Sequence, residues 1–309
     1  YILTSIYLFF YNYVKIFTES DKMKVVISAG GTGGHIYPAL AIINKIKEEE
    51  PDSEFLYIGT TNRMEKDLIP SLGYNYVGLE VRGFKRKLTL ENIKTITNST
   101  GATKEAKRII KDFNPDIVIG CGGYVTAPVI YAAKKLGKKT FIHEQNSVVG
   151  LANKFLARYT DKIGVSFEST INDFPKGKAI LTGNPCSEKA LSIKKATKES
   201  LEVDKDKKLV LIVMGSLGSR TVNDKIFSFI DKFRNKNYSV IFVTGPTYYE
   251  KIKDKKVPTN VKVVPFIYEM PSVMKITDLM VTRAGASTMS EITALEVPSI
   301  FIPSPYVVN

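Results

Sequence analysis

A short apolar run, Lys24–Ser28, passes through Ala29-Gly30-Gly31-Thr32-Gly33-Gly34-His35 into a helical pattern whose Ala39, Ile42, Ile43 and Ile46 fall on one face. Strand, glycine turn and amphipathic helix form the start of a β-α unit, which implies a parallel sheet with helices laid against it. Glycines at such a turn let backbone N–H groups close on an anionic or sugar-phosphate ligand with no Cβ in the way, and the helix N-terminus adds a favourable dipole. His35 stands at the mouth of the turn, and the chain holds only two histidines.

The same alternation continues. Strands are predicted at Lys24–Ser28, Glu54–Gly59, Tyr74–Gly78, Asp116–Gly120, Lys139–His143, Asp161–Val165 and Ala179–Thr182, with helical patterns between most of them. Continuous runs such as Ile117-Val118-Ile119 are what a parallel sheet covered on both faces requires. The pattern breaks near Gly183-Asn184-Pro185, a lysine-rich stretch follows from Lys194 to Lys208, and a second series begins with strands at Lys208–Met214, Ser239–Thr244 and Val261–Pro265. With 309 residues and 44% hydrophobic content, the chain can fill two cores of ordinary size. The expected fold is therefore α/β with two facing Rossmann-like domains, 23–184 and 185–309. Each half opens with strand, glycine loop and helix, the second at Gly215-Ser216-Leu217-Gly218, and another loop, Gly120-Cys121-Gly122-Gly123-Tyr124, follows the strand at Asp116. Ligands of open α/β sheets bind beyond the carboxyl ends of the strands, so the loops are expected to line a shared cleft.

Several functional classes fit poorly. A dinucleotide fold wants an acid at the end of its second strand to hold the ribose, yet Glu54–Ile58 runs into Gly59-Thr60-Thr61 with its only acid at the start. Cys121 and Cys186 have no metal or disulfide spacing. Asp204-Lys205-Asp206 is formally a D-x-D, but it lies in a run of alternating charges that reads as a solvated loop, and no metal or cofactor is expected. A net charge of +13 asks for an anionic partner. Nucleic acid is not favoured, because no basic groove interleaved with stacking aromatics is present. Between Val81 and Ile96, by contrast, Arg82, Lys85, Arg86 and Lys87 alternate with Phe84 and Leu88, the composition of a segment lying in an anionic lipid interface, although an ordinary loop and inward-packing helix would share it. The apolar, aromatic residues 1–22 lack the basic start and cleavage site of a signal peptide and the length of a membrane span, and are read as an extension outside the fold, with Met23 as a natural start.

Taken together and in order, Gly-Gly-Thr-Gly-Gly-His at 30–35, Gly-Gly-Tyr at 122–124, His-Glu-Gln-Asn at 143–146, Gly-Asn-Pro at 183–185, Gly-Ser-Leu-Gly at 215–218 and Arg-Ala-Gly-Ala-Ser-Thr-Met-Ser-Glu at 283–291 resemble the MurG family. These are peripheral-membrane glycosyltransferases of bacterial peptidoglycan synthesis and cell-wall biogenesis, and the likeness runs from Met23 to Asn309. The resemblance implies a glycosyltransferase B fold. It also implies inverting, metal-independent transfer of N-acetylglucosamine from UDP-N-acetylglucosamine to lipid I, giving lipid II, at the cytoplasmic face of the bacterial plasma membrane. The first domain would take the acceptor and the membrane surface, the second the donor.

The resemblance further implies that Thr32, Gly33 and Gly34 face donor sugar and acceptor pyrophosphate, with Gly30, Gly31, Gly122, Gly123 and Tyr124 forming the acceptor loops and Asn146 bonding the N-acetylglucosamine. In the second half, Ser216 and Gly218 would meet the UDP phosphates, Ile267 the uracil and Glu291 the ribose hydroxyls. Ala286, Ser287, Thr288, Met289 and Ser290 would line the nucleotide pocket. An inverting displacement needs a base for the acceptor hydroxyl. His35 suits that chemistry, with Glu144 next, although Glu144 and His143 could equally form a hydrogen-bond network that supports the loop. Two positions depart from the family: Ser187 stands where an arginine near the donor is usual, and Met214 where the 215–218 loop usually has its first glycine. The chain also stops before the family's Gln-x-x-Asn-Ala segment, so the donor domain is expected to be incomplete at its carboxyl end. A transferase acting on another lipid acceptor, or an inactive UDP-binding fragment, are the alternatives.

Overall fold

The computed structural model describes residues 22–81, 90–215 and 218–304, with residues 90–100 of one helix described by their backbone alone. The chain divides into two compact units, Tyr1–Pro185 and Cys186–Asn309.

Unit 1 is built on seven strands: β1 (Lys24–Ser28), β2 (Glu54–Thr60), β3 (Asn75–Leu79), β4 (Ile117–Gly120), β5 (Lys139–Glu144), β6 (Lys162–Val165) and β7 (Ala179–Leu181). They lie in the order β3-β2-β1-β4-β5-β6-β7, and every neighbouring pair is parallel. Alternate residues of each strand face opposite sides. Val25, Ile27, Tyr57 and Ile119 meet Ile36, Ala39 and Ile43 of α1 (Gly33–Glu49), while Val26, Ile58, Val118 and Ile142 meet α3 (Leu90–Phe113) and α4 (Thr126–Lys135). Such side chains contribute roughly 1.5–3 kcal/mol each when fully buried. The short helices α2 (Glu65–Ser71) and α5 (Leu151–Leu156) follow β2 and β5.

Unit 2 repeats the plan with β8 (Lys208–Val213), β9 (Tyr238–Val243), β10 (Val261–Val264), β11 (Leu279–Thr282) and β12 (Ser299–Phe301) in the parallel order β10-β9-β8-β11-β12. Its helices are α6 (Pro185–Ser192), whose first residue closes unit 1, then α7 (Arg220–Ser228), α8 (Pro246–Ile252), α9 (Met270–Met274) and α10 (Ala286–Leu295).

In both units the chain winds outward from a central strand and then returns to that strand's other side, at β1/β4 and at β8/β11. That reversal leaves a crevice between the loops at the carboxyl ends of the two strands. A shared device trims two strands, β4 and β6, relative to their sequence patterns and recurs at the start of β11. The Asp116 carboxylate accepts the Lys24 N–H at 2.7 Å, Asp161 accepts that of Thr140 at 2.9 Å and Asp278 that of Leu209 at 2.8 Å, so each aspartate caps its neighbour and the strand starts one residue later. Among the described residues, no helix is long and apolar enough to cross a membrane.

Candidate active site

At the β1/β4 reversal the first glycine loop and the 120–124 loop interlock. The Gly30 N–H donates to the Gly122 carbonyl at 3.3 Å, and the Thr126 hydroxyl bridges the carbonyls of Ser28 and Gly122 at 3.2 and 2.8 Å. Gly122 and Gly123 adopt φ of +97° and +86°, and a Cβ on Gly123 would stand 2.3 Å from the Gly30 carbonyl oxygen. Gln145, buried after β5, donates to the Cys121 carbonyl at 3.0 Å and ties the 143–146 segment to the same place. Three loops far apart in sequence are thus fastened into one cradle within unit 1.

Gly33 and Gly34 open α1, and Thr32 is its exposed N-cap residue. Gly34 differs from its neighbours: it is exposed, it has ordinary helical geometry, and a Cβ there would meet nothing nearer than the Thr32 hydroxyl at 3.7 Å. Glycine in a helix costs about 0.5–1 kcal/mol relative to alanine, and no packing within unit 1 repays that cost here.

His35, half-buried, directs Nδ1 at the Gly30 carbonyl 3.1 Å away, with the Thr32 hydroxyl at 3.4 Å. A carbonyl only accepts, so Nδ1 carries the proton and Nε2 keeps the lone pair. Nε2 lies beside Gly122, where a Cβ would come within 3.1 Å of it and 2.7 Å of Cδ2. Burial pushes the His35 pKa below 6.5, partly opposed by the Gly30 carbonyl and by the charges of Glu144 and Glu65. The ring is therefore neutral at pH 7, with its basic nitrogen facing the cradle.

Glu144 is almost fully buried at the end of β5, and both its oxygens are engaged. Oε1 accepts from the backbone N–H and side-chain amide of Asn146, and Oε2 from the Gly150 N–H and the Asn153 amide, each at 2.9 Å. His143, also buried, donates from Nε2 to the Gly183 carbonyl at 3.0 Å. Such a geometry shapes the 144–150 turn and orients Asn146, leaving little acceptor capacity on Glu144 for an incoming proton.

In unit 2 the corresponding crevice lies between α10 and the described residues after β8, Met214-Gly215 and Gly218-Ser219. Gly218, at φ +71°, is pressed so close to β9 that a Cβ would sit 2.1 Å from the Thr244 carbonyl oxygen, and its N–H is bonded to the Gly215 carbonyl at 3.1 Å. Arg283 links the two sides: its guanidinium donates to the Ser219 hydroxyl at 3.0 Å and to the carbonyls of Ile302 and Pro303. On α10 only Ile292 is buried, leaving Ala286, Ser287, Thr288, Met289, Ser290 and Glu291 partly open. The buried Ser287 hydroxyl has no hydrogen-bond partner among the described residues. Desolvation raises the Glu291 carboxyl to about 7, with Lys189 opposing. Ile267 packs partly against the unit 2 core, and the Ser187 hydroxyl donates to the Ser290 carbonyl at 3.2 Å, joining α6 to α10.

Two family models match the chain. The glycosyltransferase family 28 N-terminal domain covers residues 25–165 and the family 28 C-terminal domain residues 209–309. A Bacillus cereus protein named "UDP-N-acetylglucosamine--N-acetylmuramyl-(pentapeptide) pyrophosphoryl-undecaprenol N-acetylglucosamine transferase 1" is 49% identical over 292 residues, spanning 93% of this chain and 80% of its own length. The chain belongs to the MurG family. A Bacillus cytotoxicus protein of the corresponding name is 48% identical over 93% of this chain and 80% of its own length. The crystal structure of Acinetobacter baumannii MurG superposes with a TM-score of 0.64 at 28% identity, covering 92% of this chain and 80% of that one. The two parallel α/β units are thus those of the glycosyltransferase B fold.

Of the residues singled out from this MurG-family sequence, Thr32 to His35, Gly122 to Tyr124 and Glu144 to Asn146 come together in unit 1, and Gly218 and 286–291 flank one crevice in unit 2. Ser216 and the basic-apolar positions Arg82, Phe84, Lys85, Arg86, Lys87 and Leu88 lie outside the described residues. Asp204-Lys205-Asp206 forms a surface turn in which Asp204 accepts the Asp206 N–H at 3.0 Å and pairs with Lys207 at 3.3 Å. Among the described residues, no group of three or more His, Cys, Asp or Glu could hold a metal ion. Sequence reasoning missed Glu65, Gln145 and Arg283 as structural members of the sites. Gln145 and Arg283 sat inside quoted motifs, whereas nothing marked Glu65.

Proposed function

We propose that this chain is the UDP-N-acetylglucosamine-dependent transferase that converts lipid I to lipid II in bacterial peptidoglycan synthesis, with inversion at the anomeric carbon. The observation that carries the mechanism is the His35 geometry. Nδ1–H is held by the Gly30 carbonyl, which leaves Nε2 to take the proton of the acceptor hydroxyl. As that proton moves, the hydroxyl oxygen bonds to the anomeric carbon, and the sugar–phosphate bond breaks with its electron pair leaving on UDP. Glu144 supports the reaction by orienting Asn146 toward the N-acetylglucosamine rather than as a second base. The exposed Gly34 leaves room for sugar or pyrophosphate against the first turn of α1, whose unpaired N–H groups and dipole favour anionic oxygens.

Unit 2 is the donor domain in this reading. The Glu291 carboxylate accepts from the ribose hydroxyls, residues 286–290 and the Ile267 backbone surround the base, and the Ser216–Gly218 loop with the start of α7 meets the diphosphate. Unit 1 is the acceptor domain, and its 82–88 segment holds it peripherally on anionic lipid at the cytoplasmic face of the plasma membrane.

The test is transfer of labelled N-acetylglucosamine from its UDP donor to a lipid I analogue, with a diacylglycerol acceptor alongside. Product on the lipid I analogue alone supports the assignment, and product on diacylglycerol alone refutes it. Gly34→Ala makes the same assay specific to the cradle. The variant should melt at or above the wild-type temperature, gaining up to about 1 kcal/mol, while transfer drops at least ~10-fold. Unimpaired transfer would show that nothing occupies that space.

Donor binding should also depend on pH. With Glu291 at about 7, roughly a tenth of the carboxyl is ionised at pH 6 and most at pH 8. Affinity for UDP-N-acetylglucosamine, whose diphosphate does not titrate in this range, measured calorimetrically, should therefore rise about tenfold across that interval and become flat in Glu291→Gln. A wild-type affinity independent of pH would remove Glu291 from the ribose site.

A further inference from the structure

Glu65 begins α2, five residues beyond the end of β2, and is completely buried. A carboxylate so enclosed is costly unless something repays its desolvation. Among the described residues no lysine or arginine pairs with it. Its partners are three donors instead: the Thr60 hydroxyl at 2.6 Å and Thr60 N–H at 3.1 Å on Oε1, and the Gly31 N–H at 3.2 Å on Oε2. The carboxylate therefore reaches from the β2–α2 junction under the first glycine loop and grips it.

Two glycines are shaped by that reach. A Cβ on Gly30 would stand 2.4 Å from Glu65 Oε1, and one on Gly59 would stand 2.8 Å from its Cγ and 2.5 Å from the Tyr76 hydroxyl. The Tyr76 hydroxyl donates to the Thr60 carbonyl at 2.5 Å, so the residue that binds Glu65 twice is itself pinned. The Tyr57 hydroxyl, buried on β2, has no partner among the described residues, which makes the region beneath the loop polar and only partly satisfied. An apolar side chain of equal volume would leave the Thr60 and Gly31 N–H groups without their acceptor, so the carboxylate is tied to the loop it bonds.

We infer that Glu65 is the positioning residue of the first glycine loop: it fixes Gly31 from below and, through the adjoining Gly30 carbonyl, fixes the ring of His35. Glu65 touches no substrate, being sealed from the cradle by the loop it holds. It lies five residues beyond the end of β2, where a dinucleotide fold would carry its ribose-binding acid, and its carboxylate is turned onto the protein's own backbone. Two carboxylates bias His35 electrostatically, Glu65 from the start of α2 and Glu144 from the end of β5. Removing the first should make the ring harder to protonate. The consequence for transfer rests on the proposed role of His35, but the structural coupling does not.

The presence of only two histidines makes the coupling measurable on the full chain without turnover. Their ring protons can be followed by NMR against pH, with His143→Gln supplying the assignment. In Glu65→Gln the amide oxygen keeps the two Thr60 donors and the NH2 takes the place of Oε2, so the Gly31 N–H loses its acceptor. The His35 titration should move down by ~0.5 pH unit or more, and Gly31 amide exchange should accelerate at least ~10-fold. The His143 titration should stay in place. If Glu65→Gln is folded and neither His35 nor Gly31 responds, the inference is overturned; faster Gly31 exchange with an unmoved His35 overturns the link to the ring. Should Glu65→Gln fail to fold, Glu65→Asp keeps the charge but draws the carboxylate back from the Gly31 N–H. Unchanged Gly31 exchange in that variant then overturns the clamp. Transfer by His35→Ala separates the two ideas, since full activity there would sink the base assignment while leaving the NMR result standing.

Discussion

Replacing His35 with alanine lowers N-acetylglucosamine transfer by about 10²–10⁴-fold, the range for loss of a positioned general base, and leaves UDP affinity within about twofold. The separation is expected because the proposed contacts to the UDP moiety belong to unit 2, whereas His35 is held entirely by unit 1. The lost Nδ1–Gly30 hydrogen bond costs about 1 kcal/mol, too little to unfold the unit, so a thermal melt can show that the loss is chemical. In Glu291→Gln, which lacks the donor-site titration, kcat/KM should climb with pH through a titration below 6.5, because burial has lowered the His35 pKa and only the neutral ring can accept a proton. By about pH 7.5 that limb should be level. A His35→Ala protein retaining a tenth or more of the wild-type rate would reassign the base.

Gly123→Ala should be the most damaging single-methyl change in unit 1. Its φ of +86° disfavours any side chain, and the new Cβ would be driven to 2.3 Å from the Gly30 carbonyl oxygen. Relieving that clash means parting the two loops, at a cost of roughly 2–4 kcal/mol and with loss of transfer. Gly137→Ala provides the comparison: its φ is +70°, but a Cβ there meets nothing within 4 Å, so it reports backbone strain alone at about 1–2 kcal/mol. Urea unfolding of both variants separates the terms. Equal destabilisation would mean that the cradle is not interlocked as described.

The plan of the fold was legible because parallel strands buried on both faces leave dense signals such as Ile117-Val118-Ile119, and because glycine loops mark where strands turn into helices. Strand limits were less legible. Asp116 and Asp161 look like strand starts, yet their side chains serve as caps for neighbouring strands, a long-range role that local pattern does not carry. The glycines were legible as a group and opaque individually. Gly30, Gly123 and Gly218 are small because the protein's own atoms crowd them, whereas Gly34 has open space before it, and only the folded packing separates those cases. Glu65 was hidden for a related reason. In Arg63-Met64-Glu65-Lys66-Asp67 it reads as one more charge on a solvated helix, and its burial depends on Gly30, which lies on another strand's loop.

The bond from Gly30 to Gly122 joins residues that enter the fold at very different times. Between them lie β2, β3 and three helices, all of which must be laid down before β4 can return beside β1. Contacts of such sequence separation are closed late and slowly. A nascent chain therefore presents no half-formed cradle in which a sugar nucleotide or its pyrophosphate could lodge, and the capacity to bind is withheld until most of unit 1 has been synthesised and has closed on itself.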